Sequence, residues 1–154
     1  MDTNIVIRRA KIDDIDIMVE LLTSLFTIET DFSIDSQKQQ KGLCIILEQT
    51  EKSCIMVAEC DKKVVGMCTG QLLVSTAEGG FKVIVEDVVV EKDKRGLGIG
   101  TKLLLEIQNW AIGCGATRMD ILADQRNHSA LKFYDHQNWK STELIALQKS
   151  PSLK

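Results

Sequence analysis

The apolar residues of the first 50 positions change their spacing along the chain. Residues 5–10 are typical of a short strand, and from Ile15 the apolar positions recur every three or four residues, which predicts a helix with one buried face. A second short helix is predicted around Leu43. Residues 27–37 carry hydroxyl and acidic side chains instead, so we expect an exposed loop between the two helices.

The middle of the chain is rich in β-branched residues. Two such runs, joined at residues 61–63, predict a tight hairpin. The run FKVIVEDVVV (81–90) predicts a strand with both faces largely covered. Helical spacing returns at Ile99, and the glycines at 113 and 115 predict where that helix ends.

The last third adds a strand in TRMDILA (117–123), a helix in NHSALKFYDHQ (127–137) and a final strand in WKSTELIALQK (139–149). The predicted order is therefore βααβββαβαβ, without a repeat or a linker. This order is typical of an α/β or α+β fold in which helices cover a sheet. A chain of 154 residues suits a single domain, which we expect to span residues 1–154.

Composition excludes several classes of function. The net charge is -3, so no global field attracts nucleic acid, and no apolar run is long enough for a membrane span. With no signal peptide in the N-terminal segment, we expect a cytoplasmic protein with neither nucleic acid nor membrane as a partner. Five cysteines at irregular spacings and only two histidines favour buried apolar thiols over a metal site.

The segment RGLGIG (95–100) concentrates three glycines between a strand and a helix. The first backbone N–H groups of a helix have no partner within the helix, and a phosphate can approach them closely where Cβ atoms are absent. Arg95, with Lys92 and Lys94, supplies positive charge, and Thr101 adds a hydroxyl. We therefore expect an anion site at this helix start.

Spacing distinguishes among the known phosphate-binding loops. A P-loop requires GxxxxGK followed by Ser or Thr, whereas here Thr101 precedes Lys102. A dinucleotide-binding loop requires its third glycine one residue later, at Thr101. The pattern that fits is R-x-x-G-x-G, formed by Arg95, Gly98 and Gly100.

This motif resembles the [Q/R]-x-x-G-x-[G/A] motif of the GNAT superfamily of acyl-CoA-dependent N-acyltransferases. The opening strand, the hairpin block, the VEDVVV strand and the NHSALKFY segment follow in the family's order, so the resemblance covers about residues 5–147. It implies a mixed, mostly antiparallel sheet of about six to seven strands flanked by helices on both faces. A homodimer is common among similar proteins.

The resemblance also implies an activity. Such proteins transfer an acetyl group from acetyl-CoA to a primary amine by direct attack in a ternary complex, and we favour a small-molecule amine over a protein. No metal is implied. The alternatives are a module that binds or senses acyl-CoA without catalysis, and an interaction protein in which RGLGIG is only a packing turn.

In similar proteins the loop that matches Arg95–Thr101 binds the pyrophosphate of coenzyme A. The residues concerned are Arg95, Gly96, Leu97, Gly98, Ile99, Gly100 and Thr101. The main chain of Val88, Val89 and Val90 would pair with the pantetheine arm, because the preceding strand splays from its neighbour. A backbone N–H near Val88 would meet the developing oxyanion.

In the NHSALKFY segment, Asn127 matches a position that contacts the CoA arm, and Tyr134 matches the tyrosine that protonates the leaving thiolate. Helical spacing places both on one face, although Tyr134 could instead be a core aromatic beside Phe133. The family usually has glycine where this chain has Asn138, and asparagine also tolerates a left-handed cap.

A base is useful because amines are protonated at neutral pH. Glu86 and Asp87 interrupt an apolar strand, and Glu86 matches an acidic position of some relatives, so we prefer Glu86. Unless a bulge intervenes, the two face opposite sides, and both could be purely structural. His128 and His136 are reserve candidates. The acidic loop at 27–37 suits a cationic amine, or is merely solvated.

Overall fold

The structure, a computed structural model, describes residues 3–152. Its strands are β1 (Ile5–Arg9), β2 (Ser53–Cys60), β3 (Lys63–Ser75), β4 (Gly80–Val90) and β5 (Ala116–Ile121). Its α-helices are α1 (Ile15–Ile28), α2 (Ser36–Glu48), α3 (Ile99–Gly113) and α4 (His128–His136). Two short 3-10 helices, Ile12–Asp14 and Lys92–Lys94, precede α1 and the glycine segment.

The strands form one five-stranded mixed sheet in the order β1-β2-β3-β4-β5. The pairs β1–β2, β2–β3 and β3–β4 are antiparallel, and β4–β5 is parallel. The predicted hairpin between β2 and β3 turns on Asp61 and Lys62, both of which have positive φ (50° and 68°). The mixed α/β fold class is thus confirmed.

Helices cover both faces of this sheet. On one face, α1 and α2 pack against Ile55, Val57, Met67 and Val89, which are all buried. On the other face, α3 lies so close to β3 that a Cβ at Gly70 would meet the Trp110 ring at 3.2 Å. Because side chains alternate along a strand, β3 presents neighbouring residues to different helices.

Three expectations about the strands are wrong, in whole or in part. The sheet has five strands rather than six to seven, and no strand forms within 139–149, where Leu144 and Leu147 are 86% and 87% exposed. A run of β-prone residues becomes a strand only if a partner accepts its hydrogen bonds, and the residue pattern does not supply one. In β4, Val83 and Val85 are fully buried, but Phe81 is 41% exposed, so its coverage is incomplete.

The chain divides into two compact units between Ile121 and Leu122. The first unit contains the whole sheet with α1, α2 and α3. The second contains α4 and the segment that follows it. The single domain expected over residues 1–154 remains a prediction.

A network of ion pairs fastens β1 to its neighbours. Arg8 Nη1 donates to Asp14 Oδ2 at 2.8 Å, Nη2 donates to Asp14 Oδ1 at 3.0 Å, and Nε donates to Glu59 Oε2 at 2.9 Å. The Asp14 side chain is only 10% exposed and also accepts from the Lys11 amide at 2.7 Å. The bidentate hydrogen bond from Arg8, despite burial, lowers the pKa of Asp14 below its ordinary 3.8.

Replacing this carboxylate should therefore destabilise the protein in a pH-dependent way. We expect Asp14→Asn to lower the free energy of unfolding by about 2 kcal/mol at pH 7, since a charged hydrogen-bond partner of Arg8 is lost. A carboxyl whose pKa is lowered on folding stabilises above its unfolded pKa and loses that contribution as pH falls through the folded pKa. Urea unfolding should hence show a large difference at pH 7 and a smaller one at pH 3; equal stabilities at pH 7 would contradict this role.

Candidate functional site

The glycine segment begins helix α3 with a left-handed turn. Gly96 and Gly98 have φ of 78° and 77°, and Gly98 is the N-cap of the helix. Side chains other than glycine adopt this region rarely and at a cost. A Cβ built on either glycine meets no atom within 4 Å, so it would project into open space.

The same turn exposes backbone donors. The hydrogen bond that closes the first turn of α3 runs from Lys102 N to Gly98 O at 3.1 Å. The amides of Ile99, Gly100 and Thr101 precede it and therefore have no acceptor within the helix. Open space beside these donors, at the positive end of a helix of 15 residues, suits a phosphate.

Arg95 joins this loop to the end of β4. Its Nε donates a hydrogen bond to the Val90 carbonyl oxygen at 3.0 Å, and the residue is exposed. The bond places a guanidinium beside both the main chain of Val90 and the glycine turn. The predicted anion site and the predicted strand end are thus adjacent within the first unit.

The end of β4 has a free edge. Its parallel pairing with β5 ends at Val85 opposite Ile121, while β4 itself continues to Val90. Within residues 3–152, the main chain of residues 86–90 therefore has no strand paired with it on the β5 side. The resemblance implied such a separation at Val88, Val89 and Val90, while the binding role of their main chain stays a prediction.

A β-bulge lies where β4 leaves β5. The pairs Met67 with Val89 and Thr69 with Glu86 leave Cys68 alone opposite Asp87 and Val88. Asp87 has a φ of 55°, as an extra residue in a bulge allows. The two acidic residues at this bulge differ in exposure, since Glu86 is exposed and Asp87 is half-buried.

The surroundings of Asp87 make its carboxyl harder to ionise than a carboxyl in water. Burial raises the pKa of Asp87 to about 6, the nearby charge of Glu86 adds to this, and a hydrogen bond from Thr69 opposes it. Thr69 Oγ1 lies 3.3 Å from Asp87 Oδ2 and 3.1 Å from the Glu86 carbonyl oxygen. Thr69 itself is only 1% exposed.

Asp87 also lines a cavity of about 390 Å³ formed with α1, α2 and the loop between them. Phe26 and Phe32 contribute apolar walls, with their ring centroids 5.5 Å apart. Asp31 and Asp35 contribute acidic groups from the loop. The volume is within the range of pockets that bind small molecules.

The loop beside this cavity is fixed at its α2 end. Asp35 caps α2 by accepting from the amides of Gln37 and Lys38, both at 3.1 Å. Gln39, which is buried, donates to Val19 O at 3.1 Å and accepts from the Asp35 amide at 3.0 Å. These bonds tie the start of α2 to α1, which makes the cavity wall a defined surface.

In the second unit, Asn127 and Tyr134 lie at the two ends of α4. Asn127 is the N-cap, and its Oδ1 accepts from the Ala130 amide at 3.1 Å. Tyr134 packs against Phe133 and Trp139, with ring centroids 5.4 and 6.3 Å away. Asn138 has a φ of 66°, so the left-handed turn expected after this helix is confirmed.

The histidines and cysteines are weaker candidates for a role in this site. His128 and His136 are exposed. Cys68 is fully buried, and burial raises the pKa of its thiol, which disfavours the nucleophilic thiolate. Cys54 and Cys60 are also buried, whereas Cys44 and Cys114 are partly exposed, so the expectation of buried thiols holds for three of the five.

Sequence reasoning missed Thr69, Gln39 and the two phenylalanines of the cavity. One signal was available for Thr69, a lone hydroxyl within the apolar run VVGMCTG. Among residues 3–152, no cluster of His, Cys, Asp and Glu side chains has the arrangement of a metal site. Within the same range, no helix is both long and apolar enough to cross a membrane.

Comparison with known proteins adds to these observations. A family model described as the acetyltransferase (GNAT) family matches residues 16–139. A protein of Archaeoglobus fulgidus, named only as an uncharacterized N-acetyltransferase, is 25% identical over 144 residues, which cover 89% of this chain and 94% of that protein.

Solved structures share the fold across nearly the full length. A possible acetyltransferase from Clostridium difficile 630 has a TM-score of 0.83 at 22% identity, covering 97% of this chain and 99% of that one. An aminoglycoside N-acetyltransferase, AAC(6')-Iy, in complex with CoA has a TM-score of 0.84 at 16% identity, covering 99% and 98%. Glucosamine-6-phosphate N-acetyltransferase from Arabidopsis thaliana gives 0.74 at 20% identity, covering 97% and 99%.

Proposed function

Because the chain belongs to the acetyltransferase (GNAT) family and is an acyltransferase, we propose that it transfers the acetyl group of acetyl-CoA to a primary amine of a small molecule. One observation carries the proposal. The open space at Gly98, beside the helix amides, adjoins the free end of β4, whose bulge leads into the cavity lined by Asp87.

The cosubstrate side of the proposal uses the first turn of α3. The amides of Ile99, Gly100 and Thr101, with the guanidinium of Arg95, would hold the pyrophosphate of acetyl-CoA. The main chain of Val88–Val90 would pair with the pantetheine arm, which needs an edge without a neighbouring strand. Since Asn127 Oδ1 caps α4, the side-chain NH₂ is the group of Asn127 that we assign to the arm.

The acceptor side uses the cavity between α1, α2 and β4. Its volume, aromatic walls and acidic groups support a small cationic amine. Two of the solved structures with this fold are named for small-molecule acceptors, an aminoglycoside and glucosamine-6-phosphate. The predicted preference for a small molecule over a protein rests on these two observations.

The chemistry requires two proton transfers. The acceptor ammonium must lose a proton before the nitrogen can attack, and the leaving thiolate must gain one. Tyr134 is proposed as the donor to the thiolate. For the base, Glu86 is the prediction from sequence, and Asp87 is the carboxylate that lines the cavity.

Direct attack in a ternary complex is proposed, because the buried Cys68 is a poor nucleophile. The proposal extends to one N-acetyltransferase domain over residues 1–154 that acts in the cytoplasm, as a monomer or homodimer, and without a metal. Nucleic acid and membranes are not proposed as partners. These points remain predictions.

The proposal is tested by following CoA thiol release from acetyl-CoA with a panel of amines. We expect release only when an amine is added, together with a product that carries one acetyl group by mass spectrometry. Small amines that combine a cationic group with an apolar segment should be the best acceptors. Saturable CoA binding without transfer to any amine would instead support the non-catalytic module.

A further inference from the structure

Asp87 and Thr69 form a pair of polar side chains beside the bulge in β4. The pair belongs to the face of the sheet that α1 and α2 cover, as Thr69 follows the buried Met67 by two residues on β3. Asp87 lines the cavity there, and Glu86 does not line it. The two neighbouring carboxylates therefore have different access to a bound acceptor.

The hydroxyl of Thr69 can serve both charge states of Asp87. A hydroxyl has one proton to donate and can also accept. With Asp87 ionised, Thr69 can donate to Oδ2 at 3.3 Å; with Asp87 protonated, Thr69 can accept from that carboxyl while donating to the Glu86 carbonyl at 3.1 Å. Neither state leaves the half-buried carboxyl without a partner.

From this geometry we infer that Asp87 binds the acceptor ammonium and accepts its proton, and that Thr69 is the positioning residue that supports both states of the carboxylate. The inference rests on the function proposed above. In the step, an N–H bond of the ammonium breaks and an O–H bond forms on Asp87. The electron pair of the broken bond stays on nitrogen, where it attacks the thioester carbonyl.

Several charged groups surround this carboxylate. Asp31, Asp35 and Lys38 line the same cavity, and Glu86 precedes Asp87 in β4. Asp35 is engaged as the cap of α2. Asp31 lies in the loop, whereas Asp87 lies on the strand that would bind the cosubstrate. The charges of Asp31, Lys38 and Glu86 would change the affinity of the cavity for a cation.

The decisive comparison is between Asp87→Asn and Glu86→Gln. Asp87→Asn keeps the shape of the side chain but removes the base, so we expect kcat to fall about 100-fold with unchanged affinity for CoA. Glu86→Gln should cost far less. Asp16→Asn, on the exposed face of α1, is the matched control for an aspartate-to-asparagine change and should keep wild-type turnover.

The role of Thr69 is tested through the pH dependence of kcat/KM. A base is active when it is deprotonated, so activity should rise with pH through an inflection near the pKa of Asp87, about 6. Thr69→Val removes a hydrogen bond that lowers this pKa, so the inflection should move to higher pH. Thr69→Ser restores a hydroxyl and should return it towards the wild-type position.

The outcomes separate this inference from the proposed function. If no amine releases CoA with the wild-type protein, both fail. If the wild type transfers acetyl groups and folded Asp87→Asn retains that rate, or Glu86→Gln loses it instead, the inference fails alone. Loss with Asp87→Asn, together with a shifted inflection in Thr69→Val that Thr69→Ser reverses, supports it.

Discussion

Gly98→Val is expected to weaken CoA binding at least about 100-fold, equivalent to about 2.7 kcal/mol. A β-branched residue is strained at the φ of 77° that this N-cap adopts. Its side chain would also occupy the open space beside the amides of Ile99 and Gly100, where the pyrophosphate is proposed to bind. Isothermal titration calorimetry with CoA measures the effect directly.

The control must separate strain from occupation of the site. Gly79→Val provides it, because Gly79 also has a positive φ (63°) and also faces open space, but lies in the turn between β3 and β4. Both variants should fold with a similar loss of stability in thermal unfolding, and Gly79→Val should bind CoA normally. Equal affinities in the two variants would contradict a phosphate site at Gly98.

The glycine turn that begins α3 was predictable from sequence because its determinants are local. A left-handed N-cap needs glycine, and the spacing of Arg95, Gly98 and Gly100 is read within six residues. The turn at Asn138 was predictable for the same reason, since its conformation depends on one residue's tolerance for positive φ. Both turns depend on the conformational preferences of a few neighbouring residues, so the sequence alone predicts them.

Access of an acidic residue to the cavity depends on long-range pairing, which a single sequence does not specify. Whether Glu86 or Asp87 enters the cavity is decided by the bulge opposite Cys68, a matter of register between β3 and β4. Simple alternation along β4 places the two residues on opposite faces but does not say which face is the cavity. The prediction of a final strand at 139–149 is wrong for a similar reason. A strand requires a hydrogen-bonding partner, and the residue pattern does not identify one.

Tyr134→Phe is expected to lower the rate of CoA release by about 1000-fold while CoA binding is retained. The substitution removes only the phenol oxygen. The ring contacts with Phe133 and Trp139 should therefore persist. Steady-state thiol release and calorimetry on the same preparations measure the two effects separately.

A structural role for this tyrosine makes a different prediction. If Tyr134 is only a core aromatic, Tyr134→Phe should leave turnover unchanged. Phe133→Leu should then lower turnover at least as much as Tyr134→Phe does, because it removes a neighbouring ring. If Tyr134 protonates the leaving thiolate, the defect should shrink with acetyl thioesters whose leaving thiols have lower pKa values, because such thiols depart without a proton. A defect of equal size for all leaving groups would therefore exclude Tyr134 as the acid.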